Sequence, residues 1–308
     1  MSTLSIDRLS GVWSATPTPF TSEMRIDLGD VQKLVEHHLR LGVKGLFVGG
    51  TCGEGAWMRP SELRCMTRAV VEASAGRLLV AVQVTDNSAD RIAENMDTAA
   101  ADGADLAVIA PPYFLLNATP ANVLSLYTES IARSPLPVGI YDRGSGGAVS
   151  VPDEILPEIY GLEKVVLVKD SSMNEVRRDI ALAARAARPG LRLLNGYEFD
   201  CVSYLRAGYD GLLLGGGIFN GFIAGRIVEA VAGEDQSRAL ALQERMIRLM
   251  YDVYGGEGIT CWLTGLKTLL VRMGVFSSAT NYLGYPLTDD CSAAIDCVLT
   301  EDADILLP

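Results

Sequence analysis

The feature that most restricts how this chain can fold is an eightfold alternation. Short runs rich in leucine and β-branched residues, almost free of charge, are each followed by a longer stretch with apolar residues at helical spacing. The runs fall at 11–16, 45–50, 78–84, 106–110, 138–141, 165–169, 191–195 and 211–214. The helical stretches fall at 27–41, 61–75, 88–102, 119–133, 152–160, 174–188, 199–207 and 219–232. Within 27–41, Leu28, Val31, Leu34, Val35 and Leu39 share one face. Runs with so little polar alternation fit parallel strands covered on both sides, and eight strand–helix pairs are the number that closes a barrel. An open doubly wound sheet is the rival, but no GxGxxG turn follows the first run. From residue 233 the rhythm is helical only, at 235–254, 260–273 and 289–299. The expectation is an α/β protein, a (β/α)8 TIM barrel over 1–232 with a C-terminal helical extension over 233–308.

Composition narrows the function. Twenty-six Lys and Arg against 38 Asp and Glu leave a net charge of -12, which repels phosphate backbones and anionic lipid. Neither nucleic acid nor membrane is an expected partner. Cys52, Cys65, Cys201, Cys261, Cys291 and Cys297 are scattered, with no CxxC or Cys/His cluster, and read as reduced thiols with no metal site. Residues 1–20 carry no basic patch followed by an apolar run, and no apolar stretch approaches ~20 residues, so a cytoplasmic location is expected.

In such barrels the strand C-terminal ends and the loops after them form the active face. The second run leads into Gly49-Gly50-Thr51-Cys52-Gly53-Glu54-Gly55 and the fourth into Pro111-Pro112-Tyr113-Phe114. The fifth ends in Tyr141-Asp142-Arg143, the sixth in Lys169-Asp170-Ser171 and the seventh in Asn195-Gly196-Tyr197-Glu198. Lys169 closes an apolar run, where desolvation would free its amine as a nucleophile toward a carbonyl; the alternative is a lysine paired with Asp170 or water. Tyr141 can pass protons at that rim, or pack under a loop. The glycine turn lets backbone amides approach a small anion, with Thr51 adding a hydroxyl, or is simply a tight connection. It lacks the GK[ST] ending of a P-loop. Cys52 reads as a packed thiol, Gly215-Gly216-Gly217 as a close approach for ligand or backbone, and His37 and His38, mid-helix, as solvated or packed.

These residues resemble the pyruvate-dependent class I aldolase family of dihydrodipicolinate synthase and N-acetylneuraminate lyase. Gly50-Thr51-Cys52-Gly53-Glu54 is similar to its G[ST]TGE motif, Glu62 falls where the extended pattern is acidic, and the likeness runs from Thr16-Pro17-Thr18-Pro19-Phe20 into the helical tail. The resemblance implies that Lys169 is the Schiff-base lysine, Tyr141 the proton-transferring tyrosine, and Thr51 part of the relay and carboxylate pocket. Asn195-Gly196-Tyr197-Glu198 is similar to the NGYD stretch that binds sugar-acid hydroxyls in the lyase branch. Three departures bear on substrate. Cys52 replaces the second hydroxyl residue, Phe114 stands where synthases have an intersubunit tyrosine, and Gly146 stands where they have a substrate-binding arginine. Tyr141-x-Arg143 resembles instead the YNR of keto-deoxy-glucarate dehydratases, whose substrate has a second carboxylate.

The expected activity is therefore a metal-free, cofactor-free Schiff-base lyase, aldolase or dehydratase, acting on pyruvate or 2-keto-3-deoxy sugar acids. Lys169, Tyr141 and Thr51 are its catalytic residues, with Gly50, Cys52, Gly53, Arg143, Ser171, Gly196 and Glu198 binding the 2-oxo acid. Arg143 either meets a distal carboxylate or turns outward to Asp142. The alternatives are a synthase-like condensation of pyruvate with an aldehyde, an inactive 2-oxo-acid-binding relative, and a metal-dependent aldolase, which the missing ligand cluster disfavours. The apolar C-terminal helices, with the resemblance, imply a homotetramer built as a dimer of dimers.

Overall fold

The computed structural model describes residues 5–307, so residues 1–4 and 308, the outer bounds of the two expected segments, lie outside the described residues. Eight parallel strands close a barrel in chain order: β1 (Gly11–Ala15), β2 (Gly45–Val48), β3 (Leu79–Gln83), β4 (Leu106–Ile109), β5 (Val138–Asp142), β6 (Val165–Asp170), β7 (Arg192–Asn195) and β8 (Gly211–Leu214). Closure is made by β1 against β8, with Gly11 opposite Gly211 and Ser14 opposite Leu214. The alternating helices are α1 (Leu28–Arg40), α2 (Pro60–Ser74), α3 (Ala89–Ala101), α4 (Pro120–Arg133), α5 (Leu156–Gly161), α6 (Glu175–Ala187), α7 (Cys201–Ala207) and α8 (Gly217–Ala232). The eight-stranded barrel expected from the alternation is thus present, and the helix-only rhythm begins at Gly233, directly after α8.

Four expected helix starts shift by one residue for a single cause. Asp27, Ser88, Thr119 and Asn174 are not helical but cap α1, α3, α4 and α6, each side chain accepting from backbone N–H groups of the first turn. The second strand stops at Val48 because Gly49 takes φ +69 and turns the chain. Residues 152–160 divide into a 3-10 turn, Asp153–Ile155, and α5, where Pro157 sits in the first turn. Leu28 is 55% exposed rather than packed with Val31, Leu34 and Val35, because the start of α1 overhangs a groove against Ser61 and Cys65 of α2.

The extension comprises α9 (Gln236–Tyr254), α10 (Trp262–Arg272), α11 (Asp289–Glu301) and a short terminal helix, α12 (Ala303–Leu306), that the apolar pattern does not announce. α9 lies along α8, and one continuous core runs from Trp13, Phe47 and Leu194 in the barrel to Met246, Met250, Leu266 and Leu270 in the extension. Among the described residues no helix is long and apolar enough to cross a membrane. His37 and His38 are packed, not solvated: one bonds the Ile218 carbonyl and the other the Leu34 carbonyl. Burial draws their pKa values down to about 4 and about 3, so both are neutral at pH 7.

Leu270 is fully buried in that shared core. Leu270→Ala is expected to lower the unfolding free energy by about 2–5 kcal/mol, read from the urea midpoint of tryptophan fluorescence. A loss below about 1 kcal/mol would show that the extension is not part of the core.

Candidate active site

The register of two neighbouring strands builds the site. On β5 and β6, Tyr141 lies opposite Lys169 and Asp142 opposite Asp170. Successive strand residues point to opposite faces. Tyr141 and Lys169 therefore share the barrel interior, and Asp142 and Asp170 point back into the helical layer. The Lys169 Nζ lies 4.2 Å from the Tyr141 ring centroid and 5.2 Å from that of Phe47. Both residues are buried, Lys169 5% and Tyr141 8% exposed.

The same parity removes two alternatives left open by the sequence. Asp170 does not pair with Lys169: it accepts from the Tyr209 hydroxyl at 2.5 Å and the Ser172 amide at 2.9 Å. Asp142 does not pair with Arg143: it accepts from Arg177 at 2.6 Å, the Gly144 amide at 2.8 Å and the Tyr160 hydroxyl at 3.0 Å. Arg143 is thereby free to turn inward, its guanidinium carbon 6.0 Å from the Tyr141 ring centroid. Among the described residues, no carboxylate forms a salt bridge with Lys169 or Arg143.

Burial pushes the Tyr141 phenol up, but the charges of Lys169 and Arg143 and the hydroxyls of Thr51 and Ser171 outweigh it and hold the phenol below the ordinary tyrosine range. That links four predicted residues to Tyr141. Gly196 belongs with them by exclusion of bulk, since a Cβ there would sit 2.1 Å from the Ser171 Oγ and 2.8 Å from the Lys169 Cε. Glu198 is also here, but engaged: it accepts from the Gly216 amide at 2.8 Å, the Tyr254 hydroxyl at 3.0 Å and the Asn220 amide group at 3.4 Å. Burial raises its carboxyl above the usual range against those donors.

The turn after β2 is compact. A Cβ on Gly55 would lie 2.0 Å from the Gly49 carbonyl oxygen. Gly50, Cys52 and Gly53 line neither cavity of the site, and the Cys52 thiol bonds the Gly215 carbonyl at 3.4 Å, its pKa pushed up to about 12 by burial. At these three positions any contact with a ligand falls to the backbone. Among the described residues nothing accepts from the N–H groups of Gly50, Thr51, Cys52 or Gly53. Gly216 and Gly217 prove steric: a Cβ on Gly217 would meet the Ser14 side chain at 2.7 Å.

Two cavities meet at Thr51, Trp57 and Arg143. One, of about 310 Å³, runs past Gln83, Tyr113 and Gly146; the other, of about 690 Å³, runs past Gly196, Glu198 and the extension's Tyr254, Trp262 and Tyr285. Sequence reasoning missed these extension residues and Asn220, for no local pattern marks a side chain that meets the barrel only through the fold. Among the described residues no three His, Cys, Asp or Glu side chains converge as metal ligands.

A model of the dihydrodipicolinate synthetase family matches residues 8–293. The chain belongs to that family. Within it, the chain is similar to the 4-hydroxy-tetrahydrodipicolinate synthase of Anaeromyxobacter sp. (strain Fw109-5), 30% identical over 243 residues, 79% of this chain and 81% of that one. It is equally similar to the N-acetylneuraminate lyase of Rhizobium meliloti (strain 1021), 30% identical over 276 residues, 87% of each chain. Among solved family structures, a dihydrodipicolinate synthase from Bacteroides thetaiotaomicron superposes with TM-score 0.85 at 26% identity, over 94% of this chain and 98% of its own. A monomeric dihydrodipicolinate synthase variant superposes with TM-score 0.87 at 21% identity, over 98% and 99%.

The lowered phenol is directly testable. The difference in absorbance at 295 nm between the wild type and Tyr141→Phe is expected to show a phenolate forming as pH rises, at a pH below the ordinary tyrosine value of 10.0. Lys169→Met removes the cation that stabilises the phenolate, so the same difference titration must then move to higher pH. No movement would show that Lys169 does not tune Tyr141.

Proposed function

We propose that this protein is a Schiff-base lyase for 2-keto-3-deoxy sugar acids, in which Lys169 is the nucleophile, Tyr141 with Thr51 moves protons, and the turn at 50–53 holds the 1-carboxylate. The observation that carries this reading is the cross-strand pair, a buried lysine amine 4.2 Å from a tyrosine ring, with no carboxylate among the described residues in a salt bridge to it. An amine that no carboxylate holds keeps its side chain free to reach a carbonyl carbon.

The amine adds to the C2 carbonyl, and the carbinolamine loses its hydroxyl as water to leave an iminium. In the aldol direction the C4 hydroxyl gives its proton to Tyr141, the C3–C4 bond breaks, and its electrons flow into the iminium. An aldehyde leaves, and the enamine takes a proton at C3 and is hydrolysed to pyruvate. In the dehydratase direction the iminium instead acidifies C3, whose proton and the C4 hydroxyl depart as water. Tyr141, whose phenol is held below the ordinary tyrosine range by Lys169 and Arg143 against its burial, suits both transfers. A tail bearing hydroxyls would lie in the larger cavity, where Glu198 supplies a carboxylate. Arg143 lines both cavities where they meet, and in this reading its guanidinium meets a distal carboxylate. Gly146 lining the smaller cavity, where a synthase-type site would carry arginine, and Phe114, 65% exposed, favour cleavage or dehydration over condensation.

The test is intact mass after borohydride treatment with pyruvate, followed by peptide mapping. A reduced adduct on Lys169 is expected, absent from Lys169→Ala; an adduct at another lysine, or none with any 2-oxo acid, would overturn the assignment. Gly196→Ala should fold normally yet form the adduct about 10²-fold more slowly, because the new methyl displaces the Lys169 side chain.

A further inference from the structure

A second buried lysine lies outside the chemistry just described. Lys267, in the middle of α10, donates to the Glu54 Oε1 at 2.5 Å and to the Thr280 carbonyl at 2.9 Å; both charged side chains are 0% exposed. The other carboxylate oxygen of Glu54 accepts from the Tyr282 amide at 2.6 Å. Lys267 also sits 4.7 Å from the Phe20 ring centroid, and that ring meets Tyr282 edge-on. Glu54 belongs to the glycine turn and takes φ 60, a left-handed conformation that costs energy for a side-chain-bearing residue. Its amide closes the turn onto the Thr51 carbonyl at 3.2 Å, and Thr18 fixes the adjoining Gly53 carbonyl at 2.7 Å.

Such a pair adds little net stability, because desolvating two charges costs about as much as their attraction returns. What it supplies is direction. Each carboxylate oxygen has its own partner, both partners come from the extension, and together they fix the left-handed residue that ends the turn. The four N–H groups at 50–53, which have no backbone acceptor among the described residues, immediately precede that anchor.

We propose that Glu54 and Lys267 are positioning residues that hold the Thr51 turn in the shape that takes the substrate's 1-carboxylate, so that the extension sets affinity for the anionic end of a 2-oxo acid. This rests on the Schiff-base reading above. The pair touches neither the substrate nor Lys169; it acts through the backbone of residues 50–53.

The experiment compares pyruvate with methyl pyruvate, the same ketone without the negative charge, in borohydride trapping on the full-length protein. The variants are Glu54→Gln, which keeps the shape of the side chain, and Glu54→Gln/Lys267→Met, which leaves no stranded charge. The half-saturating pyruvate concentration is expected to rise about tenfold in both, with methyl pyruvate changed less than about twofold. A merely structural role would move both ketones together, and an unchanged ratio of the two overturns the proposal. Failure of both variants to melt cooperatively would make the pair a requirement of the fold and overturn it as well. A wild type that traps neither ketone would refute the Schiff-base reading, and this one with it.

Discussion

The site depends first on parity. At the ends of β5 and β6 each strand presents one residue to the barrel and the next to the helices, and the register sets Tyr141 beside Lys169 and Asp142 beside Asp170. A slip of one residue would exchange the two layers. Two buried carboxylates would then occupy the barrel mouth, and a lysine and a tyrosine would face the helical layer.

The outer layer supports the inner one. Arg177 reaches Asp142, Asp153 and the Val151 carbonyl, while Tyr160 and Tyr209 each donate to one oxygen of Asp142 and Asp170 respectively. Both aspartates are thereby engaged from behind. That leaves the inward Lys169 and Arg143 without a salt bridge to any carboxylate among the described residues. Glu198 is likewise engaged, by neutral donors: Tyr254, Asn220 and Gly216 hold it in place.

The barrel was legible because its signal is local and repeated eight times, and the strand-end residues because a polar side chain closing an apolar run is conspicuous. Boundary differences of one or two residues arose where Asp, Ser, Thr or Asn caps a helix rather than joining it. Lys267 was not legible. A lysine within an amphipathic helix reads as solvated, and only its meeting with Glu54, 213 positions away, shows it to be buried. The same holds for Arg177 and Asn220, whose partners come from other strand–helix units, and for the side chains of the extension that line the larger cavity.

That separation has a consequence in time. The glycine turn is made 213 residues before its cation, and at ordinary elongation rates that interval is roughly 10–40 s. Throughout it Glu54 lacks both of its carboxylate partners, Lys267 and the Tyr282 amide. A chain halted between Leu214 and Lys267 contains all eight strands, Lys169 and Tyr141, and still lacks the cation that bonds Glu54 in the turn after β2.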